Sequence, residues 1–202
     1  MFFRKFCLPS LILFAASALV CPAQTARSLA NTDISVEGLY QTTSTASGNG
    51  ISVRATHSAG GAAFFRHSYR WWLGYEAGYL YTRYTNYYTG QPFGVQSNMH
   101  EFAGSYYVHG PRAFGIQPFA TAGVSAVLFS PSLNGGQDAA WQMRPGINFG
   151  AGVNVPLLTS HFGVRVQYRG LYYKTPDFGQ ARYTTDAFRE TSEPMAGLYL
   201  RF

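Results

Sequence analysis

Cysteine is almost missing from this chain, and its only two copies, Cys7 and Cys21, stand near the N-terminus. Disulfide bonds and thiolate-metal chemistry are therefore excluded from everything downstream of them. Lysine is as scarce, with Lys5 and Lys174 the only two. No basic run exists, which removes the electrostatic footprint that nucleic-acid binding needs. Charge is thin throughout, at 12% of residues. Beyond residue 23 no apolar stretch approaches the roughly 18–20 residues that a membrane-spanning helix requires.

The N-terminus itself reads as an export signal. Arg4 and Lys5 open it, and an apolar stretch runs from Leu8 to Val20. Small residues in Cys21-Pro22-Ala23 then precede a cut before Gln24. That order is the pattern of a cleavable secretory segment. A lipidated Cys21 is disfavoured by the bulk of Val20 just before it. Residues 1–23 are thus expected to be a signal peptide and 24–202 a single domain. Removing Arg4 and Lys5 from the 15 basic residues leaves 13 against nine acidic ones, a mild +4.

Aromatics and glycine are plentiful: 17% aromatic, with 22 glycines. Residues 147–155 place Ile147, Phe149, Ala151, Val153 and Val155 opposite Asn148, Gly150, Gly152 and Asn154. From Phe162 the apolar set Phe162, Val164, Val166, Tyr168 and Tyr172 alternates with Gly163, Arg165, Gln167 and Arg169. Period-two alternation of this kind marks a β-strand with two unlike faces. Similar segments start near Ile34, Ala63, Leu73, Phe102 and Ala120. The last runs Ala196, Leu198, Leu200, Phe202 on one face and Gly197, Tyr199, Arg201 on the other. Short gaps at 67–70, 109–113 and 157–161 alternate with long ones at about 46–59, 84–97, 130–140 and 174–190. Eight antiparallel strands in up-and-down order follow, with short turns at one end and longer loops at the other. Lipid offers no partner to open backbone edges, so such a sheet must close into a barrel.

The final strand, ending in Phe202, resembles that of bacterial outer-membrane barrels. The passage Gly61-Ala-Ala-Phe-Phe-Arg-His-Ser-Tyr-Arg-Trp-Trp-Leu-Gly-Tyr-Glu-Ala-Gly-Tyr79 and the segment Pro118-Phe-Ala-Thr-Ala-Gly123 extend the likeness. Over nearly all of residues 24–202 the layout is similar to the OmpA-type outer-membrane β-barrel domains. The resemblance implies a bacterial outer-membrane location, with membrane lipid and lipopolysaccharide as surroundings. It also implies that the barrel-assembly machinery reads Ala196, Leu198, Leu200 and Phe202. No peptidoglycan-binding domain is expected after the barrel, so wall anchoring is not carried over.

Chemistry is harder to find. Glu37, Glu76, Glu101, Arg66, Arg165, Arg169 and Arg201 are expected to point into one narrow lumen, where charges must pair. Two readings of that network are open: a side-chain plug, or a gated path for ions and small solutes. Of the histidines, His67, His109 and His161 fall in the short turns, while His57 and His100 lie toward the loop end with Asp138, Asp177 and Asp186. Their spacing assembles no triad, dyad or metal set, and no cofactor is expected. Arg54, Arg83, Arg144, Lys174, Arg182 and Arg189 are expected at the loop-side rim, where they suit lipopolysaccharide phosphates. The sequence thus points to a non-enzymatic barrel supporting the envelope, its loops open to unidentified surface partners. A narrow porin-like channel and a lipid-modifying or proteolytic barrel enzyme are the alternatives.

Overall fold

A computed structural model describes residues 31–132, 140–159 and 161–202. The expected signal peptide, Asp138 and the glycine pair 135–136 lie outside the described residues. Among the described residues there are ten strands: β1 (Thr32–Thr43), β2 (Ala46–Gly48), β3 (Ile51–Ala55), β4 (Ser58–Ser68), β5 (Leu73–Tyr88), β6 (Val95–His109), β7 (Gln117–Pro131), β8 (Gln142–Thr159), β9 (Phe162–Lys174) and β10 (Phe188–Arg201). Eight of them are long and close in the order β1-β4-β5-β6-β7-β8-β9-β10, with β10 returning to β1. Every pairing is antiparallel. The fold is a closed eight-stranded barrel.

The alternation explains why the chain curls this way. Along β1, Ile34, Val36 and Tyr40 face outward, while Asp33, Ser35, Glu37, Leu39 and Gln41 are buried. Along β6, Phe102, Tyr106 and Val108 are outward against Glu101, Ala103, Ser105 and Tyr107 inward. The wall is thus apolar outside and mixed inside, the inverse of a soluble domain. Glycines let rings lie flat against it. A Cβ on outward Gly170 would stand 2.5 Å from the Phe149 ring, and one on inward Gly78 would stand 2.5 Å from Phe64.

Strand ends depart from the expectation. β5 and β6 run on to Tyr88 and from Val95, so most of the anticipated loop 84–97 is strand. The anticipated loop 46–59 holds the β2–β3 hairpin, whose Val53 pairs with Tyr88. Outward residues there are mostly polar, namely Arg83, Thr85, Gln96 and Asn98 beside Tyr87, so a strand continuing past an apolar belt has the composition of a loop. The closing seam has one gap. β1 and β10 pair from Asp33↔Arg201 to Leu39↔Met195 and resume only at Thr42↔Ser192. Pro194, beside the gap, has no N–H to give the ladder.

Candidate functional site

The inward faces of the strands meet in a continuous column of side chains. Nearest the chain termini, Arg165 donates to Asp33 Oδ1 at 2.7 Å, Asn154 Oδ1 at 2.7 Å and Ser35 Oγ at 3.0 Å. Its guanidinium also lies 3.9 Å from Glu37. One step further along the strands, Arg66 pairs with Glu76, its register partner across the β4–β5 hairpin. Arg66 also donates to Gln167 Oε1 at 3.1 Å, and Gln167 Nε2 donates to Glu37 Oε2 at 2.7 Å. The Phe119 ring lies 4.1 Å under the Arg66 guanidinium, a cation–π contact that covers its apolar face.

The middle tier is built on Arg169. It pairs with Glu101 and donates to Glu193 Oε2 at 2.9 Å. Ser125 donates to Glu101, Asn148 donates to Ser125 Oγ at 2.8 Å, and Ser105 donates to Asn148 Oδ1 at 2.7 Å. One cation therefore bridges two carboxylates from opposite walls, with the Ser125 hydroxyl donating to Glu101 and Asn148 and Ser105 continuing the chain of hydrogen bonds. Such satisfaction is what permits charge in an enclosed space.

Toward the loop end the chemistry changes. Arg189, fully enclosed, donates to Tyr84 OH at 2.8 Å, Asn86 Oδ1 at 3.0 Å and Tyr173 OH at 3.1 Å, with no carboxylate among these partners. Above it Val53, Tyr88, Val95, Phe129, Phe178 and Tyr183 form an apolar cluster. Phe178 and Tyr183 come from the 175–187 connection, which folds over the mouth. Phe178 has φ 51 beside Gly179 at φ 75, a left-handed conformation that costs a bulky residue energy. The ring is 1% exposed, and that burial is what offsets the strain.

A latch holds this loop down. Asp177 accepts from Arg144 Nη2 at 2.8 Å, Gln142 Nε2 at 2.8 Å and the Gly179 N–H at 2.9 Å. Gln142 Oε1 in turn accepts the Asp177 and Phe178 N–H groups at 2.9 and 3.0 Å. Partial burial opposes the Asp177 charge, but the Gly179 N–H, the Gln142 amide and Arg144 together hold its pKa below the ordinary aspartate value.

Of the seven charges anticipated in the lumen, Glu37, Glu76, Glu101, Arg66, Arg165 and Arg169 meet in the column. Arg201 does not: it is the last residue of β10, its side chain is 28% exposed, and it stands 3.7 Å from Asp33 at the mouth. Two carboxylates that complete the column, Asp33 and Glu193, escaped the sequence reading. Arg189, anticipated at the outer rim, is inside, because β10 begins at Phe188 and puts Arg189 on its inward face. At the rim, Arg83 donates to Gln96 at 2.7 Å, and Lys174 pairs with Asp186 at 2.7 Å. Ala196, Leu198, Leu200 and Phe202 all face outward at the seam with β1.

The histidines stay apart from one another. His100 lies on the outer wall with its Nδ1 2.8 Å from Tyr79 OH, and His57 Nδ1 is 3.2 Å from Thr42 Oγ1. His67 meets Thr32 and His109 meets Gln117 at the opposite end. No group of three metal-ligating side chains forms among the described residues.

No family model matches the chain, and no curated protein matches it. Solved structures do. Neisserial surface protein A (NspA) superposes with a TM-score of 0.62 at 16% identity, covering 86% of this chain and 98% of that one. The outer membrane protein OprG from Pseudomonas aeruginosa superposes with a TM-score of 0.61 at 12% identity, covering 86% and 96%. At such identities the likeness speaks for architecture. Strand count, closure, inward charge and outward apolar belt agree with it, and this chain has the fold of the small eight-stranded outer-membrane β-barrels.

Proposed function

We propose that this protein is a non-enzymatic outer-membrane barrel, closed to solutes, that supports the bacterial envelope as an integral wall element and turns its loops to the surface. The observation that carries this reading is the lumen column, in which Arg165, Arg66, Arg169 and Arg189 succeed one another along the axis, each held from several strands. A conducting path would have to break such pairs, and parting one buried partner from another costs about 3–5 kcal/mol. The apolar lid of Phe178 and Tyr183 adds a second closure.

Export through residues 1–23 and insertion by the barrel-assembly machinery through Ala196, Leu198, Leu200 and Phe202 fit this placement, with lipid and lipopolysaccharide as its surroundings. The short connections 69–72 and 110–116 share an end with the start of β1 and the end of β10, and in this fold that end is periplasmic. A narrow channel is the second reading. It is favoured by buried polar atoms without a partner among the described residues, Arg66 Nη1, Thr82 Oγ1, Asn86 Nδ2 and Ser97 Oγ, which leave sites for water inside the barrel. Planar-bilayer recording of refolded residues 24–202, with the heat-dependent gel shift reporting folding, separates the two. A folded, electrically silent barrel is expected. Steady conductance steps would replace the plug with the channel.

A further inference from the structure

The periplasmic mouth is an open bowl of about 350 Å³, and its walls are chemically one-sided. Asn31, Arg70, Trp71, His109, Gln117 and Arg201 line it, and no carboxylate does among the described residues. Arg201 Nη2 pairs with Asp33 Oδ2 at 3.7 Å, too long for a hydrogen bond, so its N–H donors stay available. Arg70 has no carboxylate partner among the described residues; its backbone N–H caps the turn by donating to Leu73 O at 3.0 Å. Two guanidinium groups with donors to spare therefore look into one small space. The Trp71 ring stands at its edge, 75% exposed.

Each wall component matches a different part of one ligand class. Paired guanidiniums suit a planar carboxylate, which they can grip through parallel N–H groups. The amides of Asn31 and Gln117 suit hydroxyl and acetamido groups. An exposed indole face suits the C–H face of a pyranose ring. The volume is at the small end of the range for small-molecule sites, roughly 300–1,000 Å³. We propose that this bowl binds a carboxylated saccharide presented from the periplasmic side, its carboxylate between Arg70 and Arg201 and its ring against Trp71. The lumen plug forms the floor of the bowl, because Arg165 and Asp33 close the barrel just above Arg201.

This assignment rests on the barrel reading only for which side the bowl faces. The test uses refolded residues 24–202 in detergent micelles, with the gel shift as the folding check, and N-acetylmuramic acid as probe. Saturable binding that moves the Trp71 indole N–H resonance is expected. N-acetylglucosamine, the same ring without the lactyl carboxylate, should bind at least about tenfold more weakly, as loss of a charge-assisted pair implies. Arg70→Gln, in an exposed turn where folding is not at risk, should weaken the probe to a similar degree, and Arg201→Gln likewise. No saturable binding to the folded barrel would overturn the inference, as would equal binding of N-acetylglucosamine or of Arg70→Gln. Free lactate binding as tightly as the sugar would overturn the saccharide assignment. Failure of the chain to fold would instead overturn the barrel.

Discussion

The two halves of the lumen close the barrel by opposite physics. From Asp33 to Glu193 the interior is mainly ionic, with arginines bridging carboxylates that come from different strands around a small apolar cluster of Leu39, Ala62, Phe64, Leu80, Ala103 and Met195. From Arg189 to Phe178 it is aromatic and apolar, with a cation satisfied by phenols and an amide and a lid contributed by a loop. Ion pairs in an enclosed space are unforgiving, since removing one partner strands the other. An apolar lid is graded: its contacts can loosen locally while the wall stays intact. The lower half is thus a fixed lock between strands, whereas the upper half, with a lid contributed by a loop, can move without unfolding the sheet.

The largest expected effect tests the lock. Arg169→Leu leaves Glu101 and Glu193 enclosed and facing one positive charge fewer, at a cost of about 3–5 kcal/mol. Urea unfolding of the barrel in lipid vesicles, followed by the gel shift, should show the loss as a lowered midpoint. Adding Glu193→Gln to Arg169→Leu should recover part of it, because the second carboxylate no longer needs a counter-charge. An unchanged midpoint in Arg169→Leu would mean that the column is ornamental to the fold, and the contrast between halves would fail.

A smaller and local effect is expected at the lid. Phe178→Ala removes the ring that rewards a left-handed backbone, and truncations of buried phenylalanine cost on the order of 3 kcal/mol where the site cannot collapse. Since the residue sits in a loop, that loss should appear as faster proteolytic cleavage within residues 175–187, with the unfolding midpoint of the barrel nearly unmoved. A midpoint that falls as far as in Arg169→Leu would show that lid and lock are one cooperative unit.

The sequence disclosed the wall better than its contents. Period-two alternation identified each long strand and which of its faces meets lipid, since a one-residue slip would reverse every side chain. It failed where the reason for alternation ends. Beyond the apolar belt the outward face turns largely polar while the inward face gains apolar side chains, with Tyr84, Tyr88 and Val95 enclosed, so the expected alternation is lost and residues 84–97 read as loop. The same blindness put Arg189 outside. Asp33 was missed because it precedes the first apolar residue, Ile34, and Glu193 because it stands before Pro194, which reads as a break. No partnership was read from the sequence, not even that of Arg66 with Glu76 across a tight hairpin. That Arg169 meets Glu101 depends on the closed register of the whole barrel, which no local pattern contains.

The smallest expected effect asks whether the lid has a release of its own. Asp177 holds the 175–187 connection to β8 through Arg144, Gln142 and the Gly179 N–H. Its pKa is depressed in the folded protein, so the latch contributes stability above the ordinary aspartate pKa and loses it as pH falls through the lower folded value. The lid should therefore be insensitive to pH across the neutral and mildly acidic range, and should loosen only in stronger acid. The Gly179 amide resonance reports the bond directly, and its titration midpoint should lie below that of a free aspartate. Asp177→Asn keeps the acceptor but discards the charge, so it should remove the pH response and weaken the latch by about 1 kcal/mol or less, as for a partly exposed ion pair. A midpoint at or above the free value would mean that burial outweighs the three donors. The lid would then open within the range the lock ignores, and the two halves would differ in sensitivity to acid as well as in construction.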